Sequence, residues 1–77
     1  MQDVTGQRVL VLGLGRSGRS AALFLAARGA QVIAADERAP ETIDGLDALR
    51  DRVELRLGEA FPDPAAFDLV VPSPGVP

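Results

Sequence analysis

The residues with the clearest chemical purpose are Gly13-Leu14-Gly15-Arg16-Ser17-Gly18, a run with the spacing G-x-G-x-x-G. Each glycine has a separate task in such a run. Gly13 allows a sharp turn out of a strand. Gly15, without a side chain, lets a diphosphate approach the backbone. Gly18 lets the following helix pack close to a sheet. The helix tip then offers unpaired N–H groups and the positive end of a dipole. Together these favour an anion without a lysine, and the chain has none: all eight basic residues are arginine. Arg16 can reach a phosphate or lie in solvent. Ser17 can cap the helix or bind a ligand oxygen.

Two further segments converge on the same chemistry. Asp36 lies 18 residues after Gly18, where dinucleotide binders place a carboxylate that accepts from ribose hydroxyls. The alternative is a solvated loop acid. Glu37 beside it would repel a 2′-phosphate and so argues against NADP, while Arg38 argues weakly the other way. Near the end, Ser73-Pro74-Gly75 combines a hydroxyl, a fixed backbone and a close-approach glycine. It reads either as a contact for diphosphate or sugar, or as a rigid exit loop.

The elements that must position these residues follow from hydropathy patterning. Arg8–Leu12 is short, apolar and ended by glycine, as a buried parallel strand is. A helix is predicted over Ser17–Arg28, with Gly18, Ala21, Ala22 and Leu25 on its sheet face and Gly29 as its stop. Gln31–Ala35 forms the second strand, ending at Asp36. Asp44 is placed to cap a short helix over Gly45–Arg50. Val53, Leu55 and Leu57 alternate with Glu54 and Arg56, which marks a half-exposed edge strand. Asp63-Pro64 begins a one-turn helix, and Leu69–Val71 reads as a buried fourth strand. Right-handed crossovers then give a Rossmann-like α/β unit, a parallel sheet of order 3-2-1-4. The apolar fourth strand calls for a fifth, so residues 1–77 are expected to be one domain of a larger multidomain enzyme, cut before that strand.

Composition excludes several classes. With no cysteine and no histidine, neither a disulfide nor a Ser-His or Cys-His nucleophile pair can form within the chain. A net charge of −3 and scattered arginines argue against nucleic acid or an anionic membrane as partner. No apolar run approaches the roughly 20 residues of a membrane span, and no signal-peptide core is visible, so the expected location is cytoplasmic. No G-x-x-x-x-G-K-[ST] loop and no acid cluster suited to magnesium is present. No catalytic residue and no metal ligand is assigned.

The glycine run G-L-G-R-S-G, the Asp36-Glu37-Arg38 segment and the ending V-P-S-P-G-V-P together resemble the N-terminal domain of the MurD family, the UDP-N-acetylmuramoyl-L-alanine:D-glutamate ligases of peptidoglycan synthesis. The glycine run alone is shared with many dehydrogenases; the Ser-Pro-Gly-Val-Pro ending separates the family from them. The resemblance runs along nearly the whole chain, including the opening V-T-G-Q-R-V-L-V-L. Arg16 and Glu37 depart from the residues commoner there.

The resemblance implies a Rossmann-like domain that holds a UDP-sugar rather than a nicotinamide. Gly15-Arg16-Ser17 and Asp36-Glu37-Arg38 would surround the uridine, and Ser73-Pro74-Gly75 would lie near ribose and diphosphate. The candidate substrate-binding set is thus Gly13, Gly15, Arg16, Ser17, Gly18, Asp36, Glu37, Arg38, Ser73, Pro74 and Gly75. It further implies a parent ligase using ATP and Mg²⁺, supplied by later ATP-binding and C-terminal domains, to make an acyl phosphate that D-glutamate attacks. Its role would be cell-wall biogenesis, and through that cell division and shape. This chain alone would hold no cofactor and be inactive. The competing expectation is an NAD-binding domain of an oxidoreductase or regulatory protein. A third is a module whose glycines serve packing only.

Overall fold

A computed structural model describes residues 3–72 of the chain. Ser73, Pro74 and Gly75 lie outside the described residues. Four parallel strands, β1 (Arg8–Leu12), β2 (Gln31–Asp36), β3 (Glu54–Leu57) and β4 (Leu69–Pro72), form one sheet of order β3-β2-β1-β4. This is the Rossmann-like order read from the sequence.

Helix α1 (Arg16–Ala27) begins one residue earlier than its pattern suggests. Gly18, Ala22 and Leu25 are its buried face, while Ala21 is only half-buried. Its end is a full Schellman arrangement: Gly29 at φ +89° donates to the Ala26 carbonyl, and Ala30 donates to that of Leu25. A left-handed residue is required there, and glycine adopts it without a Cβ clash.

The helix shares one sheet face with the β2–β3 connection. Val9, Val11, Leu14, Ala22, Leu25, Val32, Ala34, Ile43, Leu46 and Leu49 make the core on that side. The connection corrects one expectation. Asp44 caps no helix; a single 3-10 turn at Leu46–Ala48 follows Gly45, which is left-handed at φ +77° and occupies the N-cap itself. Ile43, Leu46 and Leu49 are all buried, and a spacing of three suits 3-10 geometry, in which i and i+3 eclipse. At the other short turn expected from the sequence, Pro64–Ala66, Asp63 does accept from the Ala65 N–H at 3.0 Å.

The opposite face carries Leu10, Ile33 and Ala35, with Phe67 and Val70 packed against them. Its polar closure is at the strand starts. Asp68 donates its N–H to the Arg8 carbonyl and accepts the Arg8 N–H on Oδ2, both at 2.8 Å. β4 corrects a second expectation: Leu69, Val70 and Val71 are half-buried rather than buried. Among the described residues β4 pairs only with β1 and forms the sheet edge.

Candidate functional site

β1 delivers its last residue, Leu12, in register with Ala35 of β2 and Pro72 of β4. The carboxyl ends of all three strands therefore meet beside the glycine turn, where open α/β sheets bind ligands. Gly13 leaves β1 at φ +88° and donates to the Ala35 carbonyl at 2.8 Å. The turn needs a left-handed residue and keeps it fastened to β2. Leu14 then drives its side chain into the core, with none of it exposed.

Gly15 differs from Gly13. It is the N-cap of α1, at φ −67° and ψ −176°, a backbone any residue adopts. A Cβ built there meets nothing within 4 Å. Gly15, Arg16 and Ser17 are all exposed, whereas Gly18 faces the sheet and is buried. No side chain caps the helix, and its first turn holds no acid. Ser17 is thus not the cap. The first helical hydrogen bond runs from Arg19 N–H to the Gly15 carbonyl, so the tip keeps its N–H groups and dipole for an outside acceptor.

Asp36 ends β2 with only 6% of its surface exposed. Its Oδ2 accepts from the Leu14 N–H at 2.8 Å and from Arg38 Nη2 at 2.8 Å. Its Oδ1 accepts from the Arg38 N–H at 2.9 Å and from Arg38 Nε at 3.1 Å. Four donors fill the roughly four acceptor positions of a carboxylate. The Arg38 guanidinium, by hydrogen bonding, holds the Asp36 pKa well below its ordinary value, at about 2, against the opposing effect of burial. Glu37 and Arg38 are exposed, and Arg38 keeps its remaining guanidinium donors free of Asp36.

The described residues therefore bring the glycine turn and the Asp36–Arg38 segment together. Besides the bond from Leu14 to Asp36, two contacts escaped the sequence reading. Arg38 grips Asp36, and Arg19 Nη1 donates to the Leu14 carbonyl at 3.2 Å. The signal for the second was its helical position: Cα–Cβ bonds tilt toward the helix N-terminus, so a long side chain in the second turn lies over the first. A shallow depression of about 750 Å³ lies elsewhere, at the amino ends of β1 and β2, lined by Arg8, Gln31, Arg52 and Glu54 among others. It faces away from the helix tip, and mixed charges line it.

Residues 7–77 match the family described as Mur ligase MurD-like, N-terminal domain. This chain belongs to that family. Among curated relatives, the UDP-N-acetylmuramoylalanine–D-glutamate ligase of Pelotomaculum thermopropionicum is 44% identical over 100% of the chain and 18% of the relative. The corresponding ligases of Syntrophus aciditrophicus and Acidobacterium capsulatum are 40% and 44% identical, each over 97% of the chain and 17% of the relative. The chain thus spans under a fifth of the length of these relatives. There is no lysine, and no group of three or more potential metal ligands occurs among the described residues. No described helix is long and apolar enough to cross a membrane.

Proposed function

We propose that this chain is the substrate-binding first domain of a cytoplasmic ATP-dependent ligase that adds D-glutamate to UDP-N-acetylmuramoyl-L-alanine, and that its glycine turn receives the UDP moiety. The observation that carries this reading is Gly15. Its backbone is ordinary and the space over it is open, so nothing inside the fold calls for glycine. A diphosphate approaching the helix tip does call for it. Membership of the MurD-like family, whose curated relatives are named for UDP-N-acetylmuramoylalanine, supports a nucleotide sugar as the ligand class. ATP and Mg²⁺ then belong to other domains of the parent, and no chemical step is assigned here.

The competing NAD reading needs the Asp36 carboxylate to accept from a ribose diol. Its oxygens are already engaged by Leu14 and Arg38, so a ribose diol would have to displace one of these donors. The test is an amide NMR titration of the chain with UDP-N-acetylmuramoyl-L-alanine, UDP and NAD. The Gly15, Arg16 and Ser17 signals are expected to shift with the two uridine compounds. Shifts with NAD and none with UDP would overturn the proposal.

A further inference from the structure

The peptide joining Leu14 to Gly15 is held by more than backbone geometry. On its near side, the Leu14 N–H is bonded to Asp36 Oδ2 and the Leu14 side chain is fully buried. On its far side, the Leu14 carbonyl accepts from Arg19 Nη1. A trans peptide is planar, with its C=O and N–H pointing in opposite directions. Fixing the Leu14 oxygen against Arg19 therefore fixes the direction of the Gly15 N–H, which makes no hydrogen bond among the described residues.

Arg19 is itself held in place. It sits in the second turn of α1, its side chain lying back over the helix tip. Its stem passes over Gly45 in the β2–β3 connection. A Cβ at Gly45 would stand 2.8 Å from Arg19 Nε and 3.1 Å from Cδ. The missing side chain at Gly45 leaves the lane through which Arg19 reaches Leu14.

We infer that Arg19 is a positioning residue for the anion-binding corner: it orients the Leu14–Gly15 peptide so that the Gly15 N–H is set before a phosphate arrives. This rests on the UDP reading above for the identity of the phosphate, but not for the orientation of the peptide. Arg19 acts through Leu14, and its charge is not the operative property.

The test uses Arg19→Met, which keeps an unbranched apolar stem without a donor, and Arg19→Lys, which restores the charge and a donor. Arg19 is half-exposed, so both variants are expected to fold; Arg19→Gln is a further neutral variant that keeps a donor. In the free protein, the Gly15 amide signal of Arg19→Met should move and its hydrogen exchange should change, with Lys or Gln returning both toward wild type. UDP affinity should fall about 3- to 10-fold in Arg19→Met, the effect of losing one ordinary hydrogen bond, and should recover in step with the Gly15 signal. A Gly15 amide indifferent to Arg19→Met overturns the inference. So does full recovery of affinity in Arg19→Lys with the Gly15 signal still displaced, since charge alone would then account for the effect. If wild type binds no UDP, the functional reading falls, while the Gly15 amide still decides the role of Arg19.

Discussion

Substituting Gly15 and Gly13 by alanine, one at a time, separates a glycine kept for a ligand from one kept for the fold. At Gly15 two stability effects oppose each other. Alanine restricts the unfolded chain, worth about 0.4–1 kcal/mol in favour of the folded state where the conformation is compatible. The backbone at φ −67° is compatible, and the added Cβ touches nothing. Alanine is also a poorer N-cap than glycine, at a cost of roughly 0.5–1 kcal/mol. The net change is therefore within about 0.5 kcal/mol of zero. At about 4–8 °C per kcal/mol for a domain of this size, Tm should move by no more than about 4 °C. At Gly13, φ is +88°, and alanine is strained by about 1–2 kcal/mol or more. That variant should melt at least about 4 °C lower. Thermal unfolding by circular dichroism, run beside UDP titration, reads both. Gly15→Ala should retain its melting point and lose UDP affinity by about tenfold or more, equivalent to about 1.4 kcal/mol. A Gly15→Ala protein that melts like Gly13→Ala, or binds UDP as wild type does, refutes the argument.

Further outcomes follow from the polar contacts and the core. The Asp36 carboxyl titrates at about 2 in the folded chain against an ordinary 3.8. Its contribution, about 2 kcal/mol at 1.36 kcal/mol per unit, is complete above pH 4 and lost as pH falls toward 2. Acid unfolding of Asp36→Asn should accordingly show a flatter pH dependence over that interval, and an unchanged slope would contradict the assignment. Arg38→Ala should raise the Asp36 pKa toward its ordinary value, measurable by carboxyl chemical shifts during acid titration. Gly18→Val adds bulk on the buried face of α1 and should destabilise by about 1–3 kcal/mol, read as a lower urea midpoint with unchanged slope. Asp68→Ala removes the acceptor of the Arg8 N–H. It should weaken the protein by about 0.5–1.5 kcal/mol, and hydrogen exchange should quicken first at Arg8.

Much of this architecture could be read before any coordinates, because its signals are local. A continuous apolar run ended by Gly13, small residues at helical spacing and the alternation across Val53–Leu57 each report on one element. Crossover handedness then leaves few ways to arrange them. The misreadings came where neighbours decide. Asp44 has the composition of a cap, but Gly45 takes that position in a left-handed conformation that composition does not reveal. Leu69–Val71 reads as buried because hydropathy records what a strand can cover, whereas its exposure depends on what pairs with it. In the site, the glycine spacing predicted the turn, whereas Asp36, read as an acceptor for ribose hydroxyls, takes protein donors from Leu14 and Arg38. The sequence could not show which donors Asp36 takes, since Leu14 lies 22 residues away and Arg38 is as readily solvated as paired.

The side-chain ties at the two ends of β1 span very different lengths of chain. Asp36 reaches Leu14 across 22 residues, but Asp68 reaches Arg8 across 60. Contacts near in sequence require less loop closure and form sooner. On an emerging polypeptide, the glycine-turn corner should thus assemble from β1, α1 and β2 while the flank of β1 that will receive β4 is still bare. Pulse-labelled hydrogen exchange during refolding would register this as protection at Leu14 ahead of protection at Asp68. For that interval the nascent protein carries a finished glycine turn beside an open strand, a period in which closure by β4 and mispairing with another chain compete.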